Sequence, residues 1–193
     1  MNNKNARKSA YSIADIFTNR WSQRAMSGEA MSYAELMPLF EAARWAPSSY
    51  NNQPWRFIYA HRDTPAWNKF FDLLMPGNQV WAKNAGALIL VLSKKFSEHD
   101  QSPLLTNSFD TGSAWMSLAL QGAINNLAVR AIAGFDYDKA RAILHIPDEF
   151  KIEIMIAVGK PGDKSALPAE LQARETPSNR KPLAEIVFAN EFK

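Results

Sequence analysis

The strongest constraint on the fold is an apolar run near the middle of the chain, Gly86–Ser93 (G-A-L-I-L-V-L-S). A membrane-spanning helix needs about 18 apolar residues, so the run is too short to be one. It shows no alternation of polar and apolar positions, which is typical of a strand buried on both faces. The chain must therefore place a layer of helices on each side of a sheet that contains this strand.

Segments with strand and helix periodicity lie on both sides of this run. Trp55–His61 alternates as a strand, and Lys151–Lys160 predicts a second one. That second strand places four residues on one face: Ile152, Ile154, Ile156 and Val158. Ser32 and Glu35 form a capping box ahead of a helix, and residues 110–129 predict a long helix rich in small side chains.

These elements predict an α+β fold, a three-layer sandwich in which helices flank a mixed central sheet. Residues 1–193 suffice for one substantial domain and are too few for two ordinary ones. From Pro161 the chain becomes rich in proline and charge, and residues 161–193 include the apolar stretch P-L-A-E-I-V-F. We expect this C-terminal arm to dock on the body of its own chain or on a neighbouring chain.

Composition excludes several classes of site. The chain has no cysteine, which rules out disulfides, thiolate zinc sites and cysteine nucleophiles. Its three histidines are far apart, and the motifs G-x-S-x-G and G-x-x-x-x-G-K-[ST] are absent. The net charge of +3 comes from scattered residues, which disfavours nucleic-acid binding. No segment resembles a membrane span or a secretory signal, so we expect a cytoplasmic protein. If the protein is an enzyme, a cofactor must carry the reaction.

A glycine-free polar segment precedes the strand Trp55–His61. Its six residues, Ser48–Gln53 (S-S-Y-N-N-Q), all carry hydroxyl or amide groups, and Pro47 and Pro54 bound them. One interpretation is a turn whose side chains cap backbone groups. The other is a rigid loop that lines a polar ligand.

Two arginine-containing segments favour the ligand. Arg20-Trp21-Ser22-Gln23-Arg24 supplies two guanidiniums and a hydroxyl within five residues, and Ser178-Asn179-Arg180 adds another cation in the arm. Guanidinium groups match the geometry of phosphate oxygens. The alternative is that Arg20 and Arg24 are solvated charges at a helix end. Taken with the polar loop, the segments suit a flat ring that carries a polyol phosphate.

The chain resembles the flavin-dependent nitroreductase family over nearly its whole length. The family has an R-x-S-x-R element, here Arg20–Arg24, and a segment A-P-S-S-x-N-x-Q-P-W, here Ala46–Trp55. The family also has a G-F-D-like turn after a short strand, and here this turn is Gly134–Asp136. Near the end, an arginine precedes P-L-x-E, here Arg180–Glu185.

This resemblance implies an FMN bound at the interface of an intertwined homodimer, with the C-terminal arm docked on the partner subunit. FMN would contact residues from five parts of the chain: Arg20, Trp21, Ser22 and Arg24; Pro47, Ser48, Ser49, Asn51 and Gln53; Asn78; the backbone of Ala133 and Gly134; and Arg180. Ser49 and Asn51 would come from the other subunit, and Asn78 would address the pyrimidine edge. No side chain is expected to act as a catalytic acid, base or nucleophile, because hydride would pass through flavin N5 near Ala133 and Gly134.

The implied activity is ping-pong transfer of hydride from NADH or NADPH to a nitroaromatic, a quinone or a similar flat, electron-poor acceptor. Two alternatives stay open: other reduced-flavin chemistry, such as dehalogenation, azoline oxidation or flavin fragmentation, and a non-catalytic flavin-binding protein. The chain also departs from the family pattern. Ser178 replaces a cation that many relatives have two residues before the tail arginine, and Lys181 is a possible substitute.

Overall fold

A computed structural model describes residues 7–192. These residues form seven α-helices, Asp15–Asn19 (α1), Tyr33–Arg44 (α2), Trp67–Phe71 (α3), Pro76–Ala82 (α4), Asn107–Ile124 (α5), Tyr137–Ile143 (α6) and Ala169–Gln172 (α7). They also form four strands, Trp55–His61 (β1), Ala87–Lys94 (β2), Ala128–Ile132 (β3) and Phe150–Gly159 (β4). None of the helices within residues 7–192 has the length and apolar character needed to cross a membrane.

The four strands form one sheet in the order β1-β2-β4-β3. Each adjacent pair is antiparallel. The prediction of a mixed sheet was therefore wrong for the strands of the described residues. Because β2 and β4 occupy the centre, β1 and β3 are left as edges, and an edge strand presents backbone groups that can bind something else.

Two apolar cores lie on opposite faces of the sheet, as the sequence of β2 requires. Leu88, Leu90 and Leu92 contribute to one core, which also contains residues of α3, α4 and α6. Ala87, Ile89 and Val91 contribute to the other, which contains residues of α2 and α5. The predicted three-layer α+β architecture is confirmed.

Local signals in the sequence explain where α2 begins and how α5 packs. At the start of α2 the Ser32 side chain accepts from the Glu35 backbone N–H, while the Glu35 carboxylate accepts from Ser32 N–H. On α5, a Cβ at Gly122 would lie only 2.3 Å from Cγ2 of Val129 in β3. The small residue is therefore what lets the helix approach the edge strand.

Candidate functional site

The arginine-rich motif follows α1 in an extended conformation and is held by the chain that leaves β4. Met26 forms an isolated bridge with Pro161, and Gly162 N–H donates to the Ala25 carbonyl at 2.9 Å. A Cβ at Gly162 would lie 2.5 Å from the Met26 carbonyl oxygen, so only glycine fits this close approach. The contact places the start of the C-terminal arm beside the motif.

A buried carboxylate fixes the next part of the arm on the same motif. Glu175 has only 2 % of its side chain exposed. Its Oε1 accepts from the backbone N–H groups of Arg24 and Ala25 at 2.5 and 2.8 Å, and Oε2 lies 3.5 Å from the Arg24 guanidinium. The first half of the arm thus docks on its own chain. Docking of the arm on a partner subunit stays a prediction.

Together these contacts create a cleft of about 240 Å³. It is lined by five of the predicted site residues, namely Arg20, Trp21, Ser22, Arg24 and Arg180, and by Arg7, Arg130, Arg174, Thr176 and Ser178. The suggested substitute cation, Lys181, does not line it. Arg174 occupies the cleft instead.

The guanidiniums of the cleft repel one another. Burial, followed by the charges of Arg7 and Arg180, lowers the pKa of Arg20. Burial and the charges of Arg24 and Arg174 lower the pKa of Arg130 to about 10, although the Glu175 carboxylate opposes this. An anion in the cleft would relieve this repulsion and accept several charge-assisted hydrogen bonds. The chemistry of the donors therefore fits a phosphate group.

A chain of contacts connects the cleft with the end of β3. The Arg130 guanidinium donates to the Ser22 carbonyl and lies 5.5 Å from the centre of the Trp81 ring. Trp81 Nε1 donates to Oδ1 of Asn78 at 3.3 Å, and Nδ2 of Asn78 donates to the Gly134 carbonyl at 2.9 Å. The arginine-rich motif, Asn78 and the turn at Gly134, which were predicted to bind one ligand, are thus neighbours in the fold.

The Asn78 amide has a structural task at this point. A Cβ on Gly134 would lie 2.6 Å from Asn78 Nδ2, so the glycine is needed for the two residues to approach. Ala133, which precedes it, is exposed just beyond the end of the edge strand β3. The backbone at Ala133 is therefore accessible, and Asn78 is hydrogen-bonded to the next residue. The predicted role of Asn78 at the pyrimidine edge of a flavin stays a prediction.

The polar loop 47–54 lies elsewhere in the chain and does not line the cleft. Ser49 N–H donates to Asp110 Oδ2 at 3.1 Å, which holds the loop on the first turn of α5. Asn52 is buried, and its Oδ1 accepts from Glu98 N–H at 3.0 Å. Within one chain, the fold therefore does not bring the predicted loop residues together with the arginines of the cleft. These loop residues are Pro47, Ser48, Ser49, Asn51 and Gln53.

The backbone of this loop is unusual. Tyr50, Asn51 and Gln53 have φ values of 49°, 55° and 47°, a region that side chains other than glycine rarely adopt. Ser48 Oγ accepts from Gln53 N–H at 2.9 Å, which stabilises the conformation. The capping interpretation is thus correct for Ser48. Tyr50, Asn51 and Gln53 nevertheless stay exposed, and a strained, exposed loop is a common property of binding sites.

Comparison with known proteins identifies relatives that match the whole length of the chain. The model of the nitroreductase family matches residues 17–80. A solved structure described as an oxidoreductase containing FMN is 44 % identical, covers 100 % of this chain and 99 % of its own, and superposes with a TM-score of 0.95. This chain belongs to the nitroreductase family.

More distant members agree with this assignment. A protein of Polynucleobacter asymbioticus named as an NADH dehydrogenase/NAD(P)H nitroreductase is 25 % identical in an alignment of 175 positions that covers 81 % of this chain and 88 % of that protein. A Desulfovibrio desulfuricans nitroreductase solved with FMN is 24 % identical and has a TM-score of 0.73, with 93 % of this chain and 96 % of that chain covered. At that identity the second likeness supports the fold alone.

The family motif did not disclose every residue of the cleft. Arg7, Arg130, Arg174 and Thr176 were missed. Arg130 had a usable signal, because a charged residue inside the short apolar strand A-V-R-A-I requires a partner or a ligand. The sequence contains no comparable signal for Arg174, because the arm contains many charged residues. Arg174 lies in the cleft only because its neighbour Glu175 docks on the arginine-rich motif. Within the described residues, no group of three or more acidic or histidine side chains can hold a metal ion.

Proposed function

We propose that this protein is an FMN-dependent oxidoreductase whose cleft binds the flavin phosphate. The observation that carries the proposal is the convergence of Arg20, Ser22, Arg24 and Arg180 in one cleft, which a chain of contacts joins to Gly134. The FMN named in the description of the 44 % identical structure supports the same cofactor.

The residues of the chain divide the binding of FMN between them. Arg20 and Arg180 would hold the phosphate, and Ser22 and Arg24 the phosphate and the polyol. The half-buried Trp21 lines the same cleft and gives it an apolar wall. When bound, FMN accepts and donates hydride at N5. The accessible backbone of Ala133 would lie against that part of the ring.

The ring edge requires a second copy of the chain. Loop 47–54 of one chain is held by Asp110 and presents exposed polar groups away from the cleft of that chain. In a twofold dimer the partner's loop would meet this cleft, so that each site is shared. Exposed apolar side chains support such an interface, including Phe17 on α1, Phe109 on α5, and Val187 and Phe192 in the arm. The arm from residue 176 would then dock on the partner.

The electron donor would be NADH or NADPH, and the acceptor a nitroaromatic, a quinone or a similar flat compound. The names of the relatives as NADH dehydrogenase/NAD(P)H nitroreductases support this choice. Donor and acceptor would use the open face of the site in turn, which predicts ping-pong kinetics. The chain would contribute orientation, with no acid or base of its own.

FMN retention tests the assignment of the cleft. Arg20→Ala and Arg180→Ala each remove one guanidinium, and we expect each to weaken FMN binding by about tenfold, as for one charge-assisted hydrogen bond. Arg44→Ala is the control, because Arg44 is exposed on α2 and pairs with Glu41 at 2.5 Å. FMN fluorescence titration gives the affinity, and size-exclusion chromatography tests whether the variants remain dimers.

Two results would contradict the proposal. Unchanged FMN affinity in both cleft variants would mean that the phosphate lies elsewhere. A protein that binds no FMN, or whose bound flavin keeps its absorbance when NADH and NADPH are added without oxygen, would exclude the proposed reductase activity. Parallel lines in double-reciprocal plots at several acceptor concentrations are the expected kinetic result.

A further inference from the structure

We propose that Arg174 and Thr176 form a second anion subsite beside the flavin phosphate and that it binds the 2′-phosphate of NADPH. The subsite makes the enzyme prefer NADPH to NADH. This inference rests on the proposed function, because it concerns the donor that reduces the same flavin.

The first argument is the charge in the cleft. Six arginines line it, and Glu175 contacts one of them, which leaves a formal charge of +5 on these seven residues. A phosphate monoester carries a charge of about −1.5 to −2 at neutral pH. FMN alone would leave a large positive charge in a partly buried place. A second phosphate group would balance most of it.

The second argument is that the arginines fall into two groups. Arg7 donates to the Arg20 carbonyl at 3.0 Å, and the charges of Arg7, Arg20 and Arg180 act on one another. A separate group surrounds Glu175, where the charges of Arg24 and Arg174 act on Arg130. Of the arginines assigned to the flavin phosphate, Arg20 and Arg180 belong to the first group and Arg24 belongs to the second. The second group also contains Arg130 and Arg174, which that assignment does not use.

The third argument is exposure. In the second group Arg130 is engaged with Ser22 and Trp81, and Arg24 is engaged with Glu175. Arg174 differs from both because it is exposed, and so is Thr176. Both are fixed by the buried Glu175 between them in the sequence. Groups at the rim on a fixed backbone suit a ligand that enters and leaves in each turnover.

The chemical difference between NADPH and NADH then decides which of the two the enzyme prefers. NADPH and NADH differ by one phosphate monoester, which can accept hydrogen bonds from a guanidinium and a hydroxyl together. A charge-assisted pair of this kind corresponds to at least a tenfold difference in affinity. Since the cations are exposed, the difference must shrink as the ionic strength rises.

The test uses flavin-loaded protein and two non-reducing probes, 2′-phospho-ADP-ribose and ADP-ribose. Calorimetry at low salt should give at least tenfold tighter binding of the phosphorylated probe. Arg174→Gln should remove most of this difference, while Arg44→Gln should leave it unchanged. The rate of flavin reduction by NADH should be the same in all three proteins, and the rate with NADPH should fall only in Arg174→Gln.

Several outcomes would overturn the inference. Equal affinity of the two probes, or an Arg174→Gln variant that keeps the difference, excludes the subsite. Competition between free FMN and 2′-phospho-ADP-ribose for one site in the flavin-free protein would mean that Arg174 belongs to the flavin phosphate. Arg174→Gln could instead weaken the apparent affinity for a nitrobenzoate acceptor and leave the apparent affinity for NADPH unchanged. In that case the subsite binds an anionic group of the acceptor. Failure of the protein to bind FMN would refute the proposed function itself, which is a distinct result.

Discussion

The buried carboxylate of Glu175 gives the sharpest prediction about how the site is built. Its replacement by alanine leaves the N–H groups of Arg24 and Ala25 without the acceptor that now lies at 2.5 and 2.8 Å. A buried donor without a partner costs about 1–3 kcal/mol. The Arg24 charge also loses its carboxylate at 3.5 Å, but Arg24 keeps 15 % of its side chain exposed and can be solvated there.

We therefore expect Glu175→Ala to lower the free energy of unfolding by about 3 kcal/mol, a large share of the roughly 5–15 kcal/mol typical of a domain. Glu175→Gln retains one acceptor oxygen and should lose about 1 kcal/mol. Urea denaturation of the FMN-free protein, followed by tryptophan fluorescence, gives these values if the slope with urea is unchanged. Glu170→Ala is the control, because this glutamate lies exposed on α7 of the same arm.

FMN affinity supplies the second measurement on the same variants. Glu175 fixes the arm on the arginine motif ahead of Arg180, so Glu175→Ala should also weaken FMN binding by about tenfold, as the loss of Arg180 would. A stability loss no larger than that of Glu170→Ala would refute the anchoring role. A full stability loss with unchanged FMN affinity would refute the claim that the arm completes the phosphate site.

Three further predictions test the packing, the polar loop and the charge of the cleft. Gly122→Ala should destabilise the protein by about 1–3 kcal/mol because its Cβ meets Val129, whereas Gly112→Ala on the same helix has nothing within 4 Å and should be neutral or stabilising in the same urea titration. Asp110→Ala removes the acceptor of Ser49 N–H, and we expect it to weaken FMN binding by fluorescence titration about tenfold. In the FMN-free protein, inorganic phosphate should raise the melting temperature more than sodium chloride of equal ionic strength does, and equal effects would contradict an anion site in the cleft.

Periodicity and capping signals predicted the fold where burial alone decides the conformation. The strand at Gly86–Ser93 and the capping box of Ser32 and Glu35 are confirmed, at β2 and at the start of α2. These features depend only on local sequence and on the need to bury apolar surface from water. The elements that depend on contacts distant in sequence were predicted less well.

The predicted helix over residues 110–129 is an example. The helix ends at Ile124, and Asn126 has a φ of 56°, which ends helical hydrogen bonding before β3 starts at Ala128. The apolar residues after Asn126 fit a helix or a strand equally well by composition. They form a strand because they pair with the free edge of β4, a contact that the local sequence does not reveal.

The predicted face of β4 was also partly wrong. The pairing with β2 shifts between Val91 and Leu92, so that Ile154 and Ile152 are their partners and Glu153 has none. This β-bulge turns Ile152 toward the opposite core from Ile156. Glu153 accepts from the Ser93 and Ser108 hydroxyls instead, at 2.6 and 2.7 Å.

The candidate site is the part of the protein that a single chain explains least well. The loop at 47–54 keeps Tyr50 and Gln53 in a left-handed conformation, at about 1–2 kcal/mol for each residue that is not glycine. Hydrogen bonds to Ser48 and Asp110 offset part of this cost, and the result is a rigid surface of exposed polar groups that faces no ligand of its own chain. The lining of the arginine cleft supplies cations for a phosphate, and it includes none of residues 47–54. Under the proposed function, the loop of one copy and the cleft of the other would meet across a twofold axis, so that two copies would yield two complete sites. The repulsion among the guanidiniums of the cleft would then be relieved by the binding of FMN between the subunits.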